Sequence, residues 1–103
     1  MRVYDQFYIN GEWVNPVTAK SLEVINPATE AVCGIISIGS TADVDKAVAA
    51  AKIAFESFGQ SSRDQRIAIL EAIIEAYQNN YNDIADAISE EMGAPTCLAV
   101  NAQ

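Results

Sequence analysis

A chain of 103 residues has room for one domain and one core, and with half its residues apolar it falls outside the disordered class. Its 14 acidic against 6 basic residues give a formal charge of −8 and no basic face to neutralise phosphates, which excludes nucleic acid and anionic membrane surfaces as partners. No apolar run approaches the ~20 residues of a membrane span, and Met1-Arg2-Val3-Tyr4-Asp5-Gln6 lacks the apolar segment of a secretion signal, so the expected compartment is the cytoplasm.

In chain order, Gln6 to Val14 reads as a hairpin. Phe7-Tyr8-Ile9 and Glu12-Trp13-Val14 are rich in aromatic and β-branched side chains, and Asn10-Gly11 between them tolerates the two positive φ angles of a type I′ turn. Asn15-Pro16 ends the second strand, because Pro cannot donate to a ladder. Leu22 to Asn26 alternates like a half-buried strand, Pro27 to Glu30 supplies a turn, and Ala31 to Ser37 returns. Gly34 inside the returning strand signals a bulge or a close backbone approach. Four strands joined by short turns predict that these strands pair antiparallel.

The pattern then changes from period two to period 3.6. Ser40 caps a helix with Asp43 three residues on, and Val44, Ala47, Val48, Ala51, Phe55 and Phe58 form its apolar stripe before Gly59 ends it. Its small alanines leave room for a neighbouring helix. Ser62 and Gln65 then match the capping-box spacing. From there to Gly93 a stripe of Ile67, Leu70, Ile73, Ile74, Tyr77, Tyr81, Ile84 and Ile88 predicts the longest apolar face of the chain, to which the upstream elements should pack. Asn79-Asn80 and Asn82-Asp83 are poor helix formers and predict a break near Asn80. Gly93 followed by Pro95 is a helix C-terminal signature. Ala94 to Gln103 reads as the opening of a further helix that continues beyond the sequence, so the chain is expected to be a piece of something longer.

No chemistry is legible in these residues taken alone. Cys33 and Cys97 are far apart, no histidine exists to activate either thiol or to join a zinc site, and both read as plain thiols. The acidic residues suit a solvated helix face.

The motifs FYINGEW, EVINPATEAV, ADVDKAVAAAKIAF, SSRDQRIAILEAI and EEMGAP, in this order and spacing, closely resemble the N-terminal part of the NAD(P)-dependent aldehyde dehydrogenase superfamily. The resemblance runs from Phe7 to about Gln103, although family members are several times longer. It departs at Ala94, where many members carry Lys. The implied fold is of the α/β family, with this segment α+β: two N-terminal antiparallel hairpins over residues 6–38 and amphipathic helices over 40–103. Residues 1–103 would form a single unit, the N-terminal part of the cofactor-binding domain. The implied activity is oxidation of a small-molecule aldehyde to a carboxylic acid through a Cys thiohemiacetal, with NAD or NADP as cofactor. The family's catalytic and cofactor residues fall downstream of Gln103, so this chain is expected to carry none, to bind no cofactor and to be inactive alone. In several members, carbonyls just before the Asn-Pro of the second hairpin help hold a monovalent cation. The resemblance places that role on Val24 and Ile25, with an ordinary ladder strand as the competing reading. A homo-oligomer is expected, and the isolated chain should self-associate through uncovered apolar faces. The alternative is a free-standing helical interaction module that kept the fold without the chemistry.

Overall fold

The computed structural model describes residues 1–102, as five strands and four helices. Backbone contacts divide the chain into two compact units, residues 1–24 with 32–60, and residues 25–31 with the chain from Ser61 on.

In the first unit β1 (Arg2–Tyr4), β4 (Ser21–Ile25) and β5 (Val32–Ser37) form a sheet of order β1-β5-β4, while β2 (Phe7–Ile9) and β3 (Glu12–Val14) form a separate two-stranded ribbon. The ribbon matches the sequence reading. Asn10 and Gly11 take φ of 56° and 81°, the two positive angles that a type I′ turn needs. The turn sets the register Phe7↔Val14, Tyr8↔Trp13 and Ile9↔Glu12. Tyr8 and Trp13 stack as a cross-strand pair with ring centroids 5.2 Å apart. In the larger sheet, Ile38 N–H donates to Lys20 O at 2.8 Å and the Cys33 thiol donates to Val24 O at 3.3 Å, so β4 and β5 run antiparallel.

The four strands read from the sequence pair antiparallel, and β1 is a fifth strand outside that reading. It runs parallel to β5, with Arg2↔Gly34, Val3↔Ile35 and Tyr4↔Ile36. A parallel pair needs a long crossover. Here the crossover is made of the β2–β3 ribbon and β4, so no local turn announces it. Gly34 resolves as a close approach, since a Cβ there would lie 3.2 Å from the Arg2 carbonyl oxygen. The three-residue register runs through it uninterrupted.

Helix α1 (Thr41–Phe58) begins at Ser40 with both bonds of a capping box. It ends at Gly59, but not in the left-handed manner usual for glycine: Gly59 has φ −61°. A Cβ at Gly59 would sit 2.7 Å from the Phe55 carbonyl oxygen and 3.1 Å from the Phe55 ring, so the position is closed by space. On the α1 stripe Val44, Val48, Phe55 and Phe58 are exposed.

The second unit begins with the turn. Asn26 Oδ1 accepts from Ala28 N–H at 2.9 Å and Thr29 N–H at 3.4 Å, and Glu30 takes φ 60° while donating to Asn26 O. Helix α2 (Arg63–Asn79) starts on the Ser62–Gln65 capping box. The stripe breaks where the asparagines stand: Asn80, at φ −108° and ψ 12°, separates α2 from α3 (Tyr81–Met92). Asn80 Nδ2 donates to Ala76 O at 2.8 Å, covering a carbonyl that a continuous helix would have bonded to an amide. Gly93 closes α3 at φ 70°, donating to Ser89 O. Pro27 lies against it, 2.9 Å from where a Cβ would be.

Helix α4 (Thr96–Asn101) packs on α3, and the Tyr81 hydroxyl donates to Val100 O. Among the described residues the buried apolar side chains are Ala85 on α3 and Ala99 on α4, at 1% and 2% exposure. Both lie on the two helices that pack together in the second unit. Helix α4 ends at Asn101, one residue before Ala102, whose N–H donates to Leu98 O at 2.9 Å, and the part of the expectation that falls on Gln103 lies outside the described residues.

Candidate functional site

The residue whose surroundings are most unusual is Asp43. It is 5% exposed, on the first turn of α1. One carboxylate oxygen accepts from Ser40 N–H at 2.8 Å and Ser40 Oγ at 2.7 Å, and the other accepts from Val17 N–H at 2.9 Å. The Ser40 amide, the Ser40 hydroxyl and the Val17 amide, helped by the charge of Lys46, hold its carboxyl below the ordinary 3.8 against the opposing effect of burial. Each of these hydrogen bonds favours the anion, and the serine hydroxyl and the two amides are spent on holding it. Asp43 ties the connection after β3 to the start of α1. The capping half of that role is legible from spacing, whereas the bond to Val17, 26 residues away, has no local signal.

The Asp43 side chain also borders a shallow groove of about 390 Å³ walled by Phe7, Ile9, Gly39, Val44 and Ala47. It offers apolar walls and a carboxylate whose two oxygens already accept hydrogen bonds.

Cys33 is half-buried and directs its hydrogen at the Val24 carbonyl, while Cys97 is exposed on α4. Among the described residues no group of three or more His, Cys, Asp or Glu converges to hold a metal ion. Val24, one of the two carbonyl donors named by the resemblance, lies in β4 and uses one lone pair on the Cys33 thiol. Ile25 is the last residue of that strand. Two carbonyls do not fill a cation's coordination sphere.

A hairpin, a capped helix, a second capped helix broken at Asn80 and a glycine-closed α3 are thus laid out in chain order. The family model of the aldehyde dehydrogenase family matches residues 13–102. The chain belongs to the aldehyde dehydrogenase family. Among curated proteins, 3-succinoylsemialdehyde-pyridine dehydrogenase from a Pseudomonas species is 50% identical over 95 residues, covering 92% of this chain and 20% of its own length. Among solved structures, an aldehyde dehydrogenase from Bartonella henselae superposes with a TM-score of 0.96 at 47% identity, covering 99% of this chain and 21% of that one. An aldehyde dehydrogenase from Mycobacterium tuberculosis, complexed with NAD+, gives a TM-score of 0.91 at 29% identity, covering 97% of this chain and 21% of that one. The aldehyde dehydrogenase segment seen here thus spans about a fifth of the length of these relatives, and it is an N-terminal one. Its α+β build of hairpins followed by helices is that of the neighbours. No helix among the described residues is long and apolar enough to cross a membrane.

Proposed function

We propose that residues 1–103 form a single unit, the N-terminal part of the cofactor-binding domain of an enzyme that oxidises a small-molecule aldehyde to a carboxylic acid with NAD or NADP, and that this chain is inactive alone. The observation that carries the reading is the family match over residues 13–102 on a chain that covers only a fifth of its relatives. In the whole enzyme a Cys thiolate adds to the aldehyde carbon, hydride leaves that carbon for the nicotinamide, and water releases the acid from the thioester. The contribution of these residues is scaffolding: turns and caps that fix two hairpins and the helices that follow. Cys33 is directed at a backbone carbonyl, and the chain has no histidine to serve either thiol as a base, which supports their exclusion as nucleophile.

The cytoplasm is the proposed compartment and a homo-oligomer the proposed state of the whole enzyme. As a minor part of the reading, the Val24 and Ile25 carbonyls contribute two ligands to a monovalent-cation site completed from outside this segment. Replacing potassium by tetramethylammonium should then leave the unfolding of the isolated chain unchanged, because two carbonyls alone bind too weakly to register.

The main test is direct. The purified chain is incubated with NAD or NADP and a short aliphatic aldehyde, and absorbance of the reduced nicotinamide is followed. No turnover is expected, and steady turnover would overturn the inactive half of the reading. The alternative, a free-standing interaction module, is favoured by the open apolar faces of α1 and α2. A stop codon directly after codon 103 in the natural gene supports it, while continuous coding sequence with a downstream Cys nucleophile supports the enzyme.

A further inference from the structure

We propose that Asn10 is a site of spontaneous modification: its side chain cyclises onto the Gly11 amide nitrogen, and the ring opens in water to an isoaspartyl residue that unfastens the β2–β3 turn. Water is the one co-reactant. The Gly11 nitrogen attacks Cγ of Asn10, and the new N–Cγ bond replaces the bond from Cγ to Nδ2. The proton of that nitrogen leaves with Nδ2 as ammonia, and a succinimide remains. Water adding at Cγ returns an ordinary aspartate. Water adding at the main-chain carbonyl carbon of residue 10 breaks its bond to the Gly11 nitrogen instead. The chain then runs through Cγ and carries a free α-carboxylate.

Sequence and structure together select this asparagine. The attack needs a following amide that has a proton to lose, is uncrowded and is not hydrogen-bonded elsewhere. Asn15 and Asn26 are followed by proline, which has no amide proton. After Asn79 and Asn101 the next amides donate to Tyr77 O at 3.1 Å and Leu98 O at 2.9 Å. Asn80 has its carboxamide tied to Ala76 O, and Asn82 precedes the branched bulk of Asp83 in the first turn of α3. Asn10 alone precedes glycine. A Cβ at Gly11 would meet nothing within 4 Å, and among the described residues neither the Gly11 amide nor the Asn10 carboxamide makes a hydrogen bond.

The turn itself opposes the reaction, since cyclisation rotates the Asn10–Gly11 peptide out of the conformation that Asn10 holds at φ 56°. The thinness of the ribbon permits it. Two strands of three residues pair with no third strand, and such a hairpin is marginal by itself. Its far end is anchored, with the Phe7 ring 3.6 Å from where a Cβ on Gly39 would be, whereas Asn10 and Gly11 are exposed. Opening therefore starts at the residues that react. The product does not fit the closed turn. An extra methylene lengthens the two-residue connection that sets Ile9↔Glu12, and a new carboxylate enters two residues before Glu12.

The test holds the full 103-residue chain folded in mildly alkaline buffer for days, then maps its peptides by mass spectrometry. A protein isoaspartyl carboxyl methyltransferase is the probe for the β-linked product. Conversion at Asn10 is expected to run about tenfold or more faster than at any other asparagine, because glycine alone leaves the nitrogen open. Methyl label should be confined to the peptide that holds residue 10. The separated isoaspartyl form should unfold at a lower midpoint, followed at Trp13, than the parent chain. Asn10→Gln, whose ring would need one more carbon, should lose the label. Freshly purified Asn10→Asp carries the charge without the altered linkage, and it should keep the parent midpoint because Asp-Gly also suits a type I′ turn. No label at residue 10, conversion spread evenly over the asparagines, or conversion only in urea overturns the site. An isoaspartyl form with the parent midpoint overturns the effect on the turn. An equal fall in Asn10→Asp overturns the role of the linkage.

Discussion

The starts of α1 and α2 carry the same motif and put it to different use. Both helices open on a serine whose hydroxyl accepts from the amide three residues on, and in both the residue at that third position reaches back to the serine amide. At α2 the motif stops there: Gln65 Oε1 accepts from Ser62 N–H at 2.8 Å, and both residues remain exposed. At α1 the returning group is a carboxylate with a second oxygen to spare, and that oxygen takes the Val17 amide. A capping box is local bookkeeping of orphan amides. It becomes a tertiary tie only where the side chain has a further acceptor and a distant donor arrives.

The largest effect should come from removing the tie. Asp43→Ala leaves the Ser40 and Val17 amides without their acceptor in a buried place, whereas Gln65→Ala exposes its amide to water. Thermal unfolding followed by fluorescence of Trp13, the one tryptophan and a member of the first unit, should drop by several degrees for Asp43→Ala. Gln65→Ala should leave that signal where it was. Equal shifts for the two variants would erase the distinction drawn here.

Next in size is a dependence on pH that only α1 should show. The Asp43 carboxyl is held below its ordinary 3.8 in the folded chain, so its contribution is fully present above about that pH. It is lost as pH falls through the lowered folded value, where both states take up the proton. The stability gap between the parent chain and Asp43→Asn should therefore be constant from pH 7 to pH 5 and shrink below pH 4. A gap that persists unchanged to pH 2 would mean that packing of the side chain, and not its charge, makes the tie. The corresponding Gln65→Ala gap should be flat throughout, as glutamine does not titrate.

How much of this was legible follows from how local each cause is. Asn10-Gly11, the two capping serines, the asparagines around Asn80 and Gly93 all act within four residues, and each produced the turn, start, break or stop expected of it. Where the cause is distant the sequence is mute. β1 has three residues and finds its partner beyond thirty others, so neither alternation nor turn chemistry marks it. Gly59 was placed correctly at a helix end for a reason that only the Phe55 ring and carbonyl reveal. Glu30, in the left-handed region, belongs to a residue type that does not advertise it. The candidate site divides the same way. The absence of histidine was plain from composition, while the thiol of Cys33 on the Val24 carbonyl depends on the β4–β5 register.

A smaller test bears on the caps themselves. Ser62→Ala removes an acceptor from an exposed N-terminus and should cost about 1 kcal/mol of helix stability, the usual value for such a cap. Ser40→Ala removes the same acceptor and also the hydroxyl that donates to Asp43. It should therefore lower stability further than Ser62→Ala does. Helical ellipticity against urea for the two variants checks the order, and a larger loss for Ser62→Ala would reverse it.

The smallest expected effect separates charge from connectivity. Gln65→Glu puts a carboxylate at the third position of α2, as Asp43 is at the third position of α1. The negative charge near a helix N-terminus should stabilise by only about 0.3–0.5 kcal/mol at low salt, and less as salt is added. No amide from a distant segment reaches that position, so the added oxygen has water for a partner. If charge alone made Asp43 valuable, Gln65→Glu would raise the unfolding midpoint by as much as Asp43→Gln lowers it. If the Val17 amide is what matters, the gain at α2 stays within a few tenths of a kcal/mol and vanishes in 1 M salt, while the loss at α1 survives the salt.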